Sequence, residues 1–298
     1  MKVQVLMSSY NGAKYIHNQI NSILNQKNVQ VSLLIRDDGS TDLTKDIIRT
    51  FNRPEISCVF EKNIGAKKSF LKLIKMADPN VDYYAFADQD DVWLDDKLST
   101  AVDILENAGH GIPLIYGSPV SLYSDGKVIG TQFECPPLSL GNFLVKNYYP
   151  GCTMVFNKQL VDLINIADYQ SLNPQPLHDH WLNLVCTACG GRVIIDSKPH
   201  ILYRLHGDNV VGDRGFLQKI KENGLLTRSE NTRYKICEEL YENYGSYVDA
   251  NSSLLIKTIL DYPMSIKNRF KLANNKAIKP FSTQEKVAIG LIALMGKF

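Results

Sequence analysis

Val3-Gln-Val-Leu-Met7, Val31-Ser-Leu-Leu-Ile35, Cys58-Val-Phe60 and Tyr83-Tyr-Ala-Phe-Ala87 are four short apolar runs near the start of the chain. Between them apolar residues recur at helical spacing: Ile16, Ile20, Ile23 and Leu24, then Ile47, Ile48 and Phe51, then Phe70, Leu73, Ile74 and Ala77. Leu98, Ala101, Val102 and Leu105 mark one more helix after the fourth run. Strands that alternate with helices build parallel sheets covered on both faces. The sequence therefore predicts an α/β fold with a Rossmann-like, mostly parallel central sheet.

After Pro113 the rhythm changes. Leu114–Leu122 and Lys127–Thr131, with Ser124-Asp-Gly126 between them, read as a β-hairpin. Cys152–Phe156 reads as a strand, a helix opens near Asp179, and Arg192–Asp196 with Ile201–Leu205 read as a final strand pair. From Gly215 onward helical patterns dominate, broken at Asn223-Gly, Tyr262-Pro and Lys279-Pro. The expected organisation is a sheet domain over 1–213 and a helical C-terminal region over 214–298.

The 298 residues are 44% hydrophobic and 21% charged, with a formal charge of +2, which is the range of an ordinary globular chain. Charge is uneven along it. Residues 1–213 carry 19 Lys and Arg against 23 Asp and Glu, whereas 214–298 carry 14 against 8. The longest uncharged apolar run, Val287–Met295, is far short of the ~20 residues that span a bilayer. With no secretory leader pattern, the expected location is the cytoplasm, peripheral at most to the inner face of the plasma membrane. Cys186-Thr-Ala-Cys189 lacks the second pair that a structural zinc wants and the context of a redox motif, so the cysteines read as small apolar residues.

Ligands of parallel α/β sheets bind beyond the carboxyl ends of the strands. Three polar clusters stand there: Ser8-Ser-Tyr-Asn-Gly12, Asp37-Asp-Gly-Ser-Thr-Asp42 and Asp88-Gln-Asp-Asp91. No G-x-G-x-x-G follows the first strand and no P-loop occurs, which removes the main support for dinucleotide and NTPase readings. In an extended segment Asp88 and Asp90 project the same way, and paired carboxylates suit a divalent cation, Mg²⁺ or Mn²⁺, bridging to substrate phosphates. The bland reading is an acidic helix N-terminus. Asp37 or Asp38 can accept hydrogen bonds from a base or ribose, or can simply build a turn. His178-Asp-His-Trp181 offers Asp179 between two histidines and an indole, a set suited to proton transfer and sugar stacking, or else a helix cap. Arg204 and His206 end the last strand within reach of a diphosphate.

These pieces, in this order, resemble the family 2 glycosyltransferases of the GT-A fold. The matching stretches are Val5–Gly12, Arg36–Asp42, Asn63-Ile-Gly65, Phe86–Trp93, His178–Trp181 and Tyr203–Gly212, and the Asp88–Trp93 and Tyr203–Gly212 forms look most like bacterial rhamnosyltransferases of polysaccharide assembly. The resemblance implies a nucleotide-diphospho-sugar donor (dTDP-rhamnose or a UDP-sugar), a divalent cation and an inverting displacement. It implies Ser8, Tyr10, Asn11, Asp37, Asp38, Asn63, Gly65, Asp88 and Arg204 at the nucleotide, and Asp88, Asp90 and His206 at the metal. Asp179 matches the general base, with Trp93, His178, His180 and Trp181 toward a glycan or lipid-linked acceptor. His178 stands where many relatives carry an acidic residue or Met before the base, and His180 follows it.

The basic tail predicts an anionic membrane surface as a partner, with Ile289, Leu291, Ile292 and Leu294–Met295 as an apolar edge; a packed helical bundle or a homodimer is the alternative. A catalytically silent nucleotide- or carbohydrate-binding module is the competing function, and a nucleotidyltransferase the nearest rival enzyme. Nucleic acid is not expected: the strand-end surface is acidic and no recognition motif appears.

Overall fold

The computed structural model describes residues 1–132, 137–168, 176–205, 231–278 and 283–298. The chain divides into two compact units that interleave along the sequence. The first takes Met1–Glu134, Tyr149–Ser171 and Arg192–Leu205; the second takes Cys135–Tyr148, Leu172–Gly191 and His206–Phe298. Segments 135–148 and 172–191, which the sequence places with the sheet, thus join the helical unit.

The first unit begins with β1 (Lys2–Ser9), α1 (Ile16–Leu24), β2 (Gln30–Asp37), α2 (Thr44–Thr50), β3 (Ile56–Phe60), α3 (Ala66–Met76) and β4 (Tyr83–Ala87). Then come β5 (Val92–Trp93), α4 (Lys97–Glu106), β6 (Leu114–Gly117), β7 (Val120–Ser124) and β8 (Lys127–Gln132). The second unit contributes α5 (Leu140–Phe143), the first β9 (Val155–Asn157) and α6 (Lys158–Ile164), and the second α7 (His178–Ala188). β10 (Arg192–Ile195) and β11 (Ile201–Arg204) return to the first unit; α8 (Thr232–Tyr244), α9 (Ala250–Asp261), α10 (Ile266–Ala273) and α11 (Thr283–Leu294) complete the second.

Seven strands form the large sheet in the order β10-β6-β9-β4-β1-β2-β3, and β9 alone runs antiparallel to its neighbours. β1 is buried from Val3 to Met7 and β4 along its whole length, as near-continuous apolar strands covered on both faces must be. From β1 the chain steps to β2 and β3 on one side and then crosses to β4 on the other. That reversal opens a crevice at the carboxyl ends of β1 and β4, the place where doubly wound sheets bind ligands.

Four elements differ from the sequence reading. The apolar run Leu114–Leu122 is cut at Gly117-Ser-Pro119 into β6 and β7, which belong to different sheets. The hairpin is β7 with β8, and its turn uses Asp125 and Gly126 at φ of 49° and 79°, the pair of positive φ values a tight two-residue hairpin wants. β10 pairs with β6, and β11 with β5 and β7, so those two strands do not pair with each other. Gly151–Thr153 is a single 3₁₀ turn, and the strand expected from Cys152 starts only at Val155.

Trp93, expected at the acceptor, is 3% exposed and lies in the core. The ammonium of Lys97, itself fully buried at the start of α4, sits 3.5 Å from the centre of its ring and has no hydrogen-bond partner among the described residues. Burial pushes the Lys97 pKa from 10.5 down to about 7. Between those two values the unfolded chain holds a proton that the folded chain lacks, so Lys97 makes stability rise with pH across that window. We expect a slope of up to about 1.4 kcal/mol per pH unit from this group, which Lys97→Met removes. Urea unfolding of both proteins from neutral to alkaline pH checks it; parallel curves would contradict the assignment.

Candidate active site

The crevice is built from the loops that follow β1, β2 and β4. After β1 the chain turns at Asn11, whose φ is 49°, and the Asn11 side-chain oxygen accepts the Thr41 amide at 2.8 Å. The Asn11 amide donates to Ser40 Oγ and the Gly12 amide to Thr44 Oγ1, so the first two polar clusters are sewn together. Tyr10 is clamped through its backbone alone: Gln89 Oε1 accepts its amide and Gln89 Nε2 donates to its carbonyl, both at 2.9 Å. Its ring stays 48% exposed, a free face beside the crevice. A Cβ at Gly12 would collide with the Gln89 side chain, so a larger residue there would displace the amide that holds Tyr10.

Arg36 organises the β2 side. Its guanidinium, 1% exposed, donates to Asp38 Oδ1 at 2.5 Å, Ser69 Oγ at 2.8 Å, Glu61 Oε2 at 2.8 Å and the Lys62 carbonyl at 3.0 Å. Ser69 in turn shares a hydrogen bond with Ser8 Oγ at 2.6 Å. Asp38 Oδ1 also accepts the Ile64 amide, and Oδ2 accepts the Gly65 amide at 2.9 Å. Gly65 has φ of 82°, and Asn63 Oδ1 accepts its amide at 3.1 Å, so Asn63 and Gly65 shape this wall. A cleft of about 800 Å³ opens here, lined by Gly39, Phe60, Asn63 and Ile64 with Lys45, Lys62 and Lys72.

The two adjacent aspartates separate in role. Asp37 is fully buried and accepts from Ser9 Oγ, Ser40 Oγ and the Ser40 amide. It builds the turn, which corrects its expected contact with a nucleotide. Asp38, also buried, accepts three hydrogen bonds as well, but from Arg36 and the Ile64 and Gly65 amides, and is the wall's charged anchor.

Past β4 the backbone bends at Gln89–Asp90, so Asp88 and Asp90 do not alternate along an extended strand. Asp88, Asp91 and Cys152 come together instead, with ligand atoms within 4.8 Å of one another. Asp91 is buried; Oδ1 accepts the Arg204 amide at 3.2 Å while Oδ2 has no hydrogen-bond partner among the described residues. Burial first, and the charge of Asp90 second, push its pKa up to about 7. Burial and the neighbouring carboxylates hold the Cys152 thiol protonated, well above its ordinary range. A protonated thiol is a poor ligand for a hard cation, whereas crowded carboxylates with an unmet buried oxygen fit one. The carboxylates brought together that could hold a divalent ion are therefore Asp88 and Asp91, with Asp90 beside them in the bend.

Arg204, expected at the diphosphate, supports this loop from behind. Its Nε donates to the Asp90 carbonyl at 2.9 Å, and its guanidinium lies 4.9 Å from the Tyr15 ring centre and 5.2 Å from that of Tyr123. His206 lies outside the described residues.

In the second unit, Asp179 occupies the first turn of α7. Its Oδ2 accepts Asn147 Nδ2 at 2.9 Å, and Asn147 Oδ1 accepts Asn183 Nδ2 at 3.0 Å, so two amides fix the carboxylate's orientation. Oδ1 accepts the His180 amide at the helix N-terminus, where negative charge is stabilised. His180 Nε2 is spent on the Phe143 carbonyl. Burial pushes His178 down to about 3, which keeps it neutral. Trp181 is fully buried and tilts against Tyr244 with ring centres 6.2 Å apart, so the stacking surface expected for a sugar is interior packing.

A family model described as glycosyl transferase family 2 matches residues 4–162. The dTDP-rhamnosyl transferase RfbG of Shigella flexneri is 35% identical over 237 residues, 74% of this chain and 78% of that protein. The chain belongs to glycosyl transferase family 2. It is a glycosyltransferase. The UDP-Glc:alpha-D-GlcNAc-diphosphoundecaprenol beta-1,3-glucosyltransferase WfaP of Escherichia coli is 26% identical, over 75% of this chain and 85% of that protein. Among solved structures, Staphylococcus aureus TarS in complex with UDP-GlcNAc superposes with a TM-score of 0.60 at 16% identity, over all of this chain and 88% of that one, a likeness of fold.

Arg36, Gln89 and Asp91 shape this candidate site without having been singled out in sequence. Each stands inside a motif, but its role depends on contacts across 25 to 113 residues that spacing does not display. Arg36→Met leaves Asp38 buried without its counter-charge, and we expect a loss of about 3–5 kcal/mol of stability. Chemical unfolding at neutral pH measures it; a loss below about 1 kcal/mol would mean that the pair is not the strut described here.

Proposed function

We propose that this glycosyltransferase moves L-rhamnose from a dTDP donor to a hydroxyl of a growing cell-surface polysaccharide or lipid-linked glycan, with inversion at the anomeric carbon. The observation that carries the reading is the crevice between β1 and β4, where the exposed Tyr10 ring and the Asp88–Asp91 carboxylates meet at the switch point of the sheet. The identity to a dTDP-rhamnosyl transferase supports the donor, and the likeness to an enzyme named for a diphosphoundecaprenol acceptor supports the lipid-linked glycan.

In this mechanism the Tyr10 face receives the base, and Asp38 offers an acceptor oxygen to a base N–H. Asp88 and Asp91, with Asp90 beside them, would hold Mg²⁺ or Mn²⁺, which would supply positive charge against a departing diphosphate. Asp179 acts as the general base. Asn147 and the first turn of α7 aim its carboxylate, so it can take the acceptor's proton as the new bond forms. Inversion follows from attack opposite the leaving group. His178, with a pKa near 3, is poorly matched to that task, which leaves Asp179 as the base of the cluster.

Release of dTDP from dTDP-rhamnose, and of UDP from UDP-glucose, in the presence of a lipid-linked acceptor fraction tests the reading. The expected result is turnover of the rhamnosyl donor, lowered about 10²–10⁴-fold by Asp179→Asn with donor affinity unchanged. Preference for UDP-glucose would overturn the donor, and undiminished turnover in the variant would remove Asp179 from the chemistry.

A further inference from the structure

The helices that follow residue 249 expose large apolar side chains in an unusual setting. Met264 is 78% exposed, Ile266 72% and Phe270 55%. Residues 262–278 carry Lys267, Arg269, Lys271 and Lys276 and no acidic residue. At about 100° per residue, Ile266 and Phe270 lie about 40° apart on α10, and Lys267 and Lys271 form the adjoining edge. Leu272 is the buried residue of this helix and stands on the opposite side. Ser265 caps the helix by accepting the Asn268 amide, so the arc is presented on a formed turn of structure.

The neighbouring helices repeat the pattern. α11 exposes Val287 and Leu291, with Met295 one turn beyond them, and Lys286 lies exposed beside Val287. Ile289 and Ile292, expected at an apolar edge, are buried at 4% and 2% and serve the bundle instead. On α9, Leu254 is 65% exposed with Lys257 one turn later. Scattered single apolar residues need no explanation, but Met, Ile and Phe within seven positions among lysines do.

We infer that this face, centred on Met264, Ile266, Phe270, Lys267 and Lys271, docks on an anionic lipid bilayer. Apolar side chains enter the boundary between headgroups and acyl chains, and the lysines meet the headgroup charge at its rim. No helix among the described residues is long and apolar enough to cross a membrane, so the contact is peripheral. A second copy is a worse occupant. An isologous dimer centred on this face would bring the Lys267, Arg269 and Lys271 charges of two copies into one interface in which residues 262–278 supply no acidic partner. The inference concerns the surface of the second unit and stands independently of the sugar transferred.

Flotation of the full-length protein with phosphatidylcholine vesicles, with and without phosphatidylglycerol, tests it. The protein is expected to float with the anionic vesicles and to be released by high salt. Ile266→Ser with Phe270→Ser, and separately Lys267→Glu with Lys271→Glu, should each lower recovery about tenfold. Dichroism spectra matching the wild type show that the variants are folded, and wild-type hydrolysis of the sugar-nucleotide donor separates this outcome from failure of the transfer reading. Equal recovery on both vesicle types, indifference to both double variants, or a dimer in sedimentation that the variants dissociate would each overturn the proposal.

Discussion

The buried guanidinium of Arg36 is the constraint on which the crevice depends. It lies at the end of β2 with its charge met by Asp38 and Glu61, and it donates at the same time to Ser69 and to the Lys62 backbone. A buried charge is tolerated only when paired and hydrogen-bonded, so this network is satisfied as a whole or not at all. By tying the ends of β1, β2 and β3 to α3, it turns four elements that merely pack into a wall of defined shape. Asp38 passes the constraint on to the amides of Ile64 and Gly65.

Opposite that wall, Gln89 performs a similar service with a neutral side chain. Its amide imitates a strand neighbour for Tyr10 and binds the loop after β1 to the loop after β4. The aromatic face is thereby presented next to the carboxylates. Arg204 braces those carboxylates from the other side through the Asp90 carbonyl. The chemistry of the site follows from this division of labour: charged groups deep in the protein supply rigidity, and the groups left accessible can act on a ligand.

Most of the large sheet could be read from sequence because its first four strands are nearly continuous apolar runs separated by helical periods, a pattern dictated by burial on both faces. What was not legible lies where backbone geometry overrides spacing. Gly117-Ser-Pro119 redirects an apolar run into a second sheet, and the bend at Gln89 replaces Asp90 by Asp91 as the partner of Asp88. Composition misled at the aromatic residues: Trp93 and Trp181 looked like sugar platforms, but both lie inside, one beneath a buried lysine and one against Tyr244. Asp37 and Asp38 are identical in type and adjacent in sequence. Only the surrounding donors distinguish a turn-former from a wall anchor.

The central claim is that the carboxylates at the end of β4 receive a nucleotide diphosphate through a divalent cation. Calorimetric titration of dTDP into the full-length protein, with Mg²⁺ and again in EDTA, tests this directly. The account predicts saturable binding with the ion and affinity at least about tenfold weaker without it. Equal affinity in both conditions would contradict it.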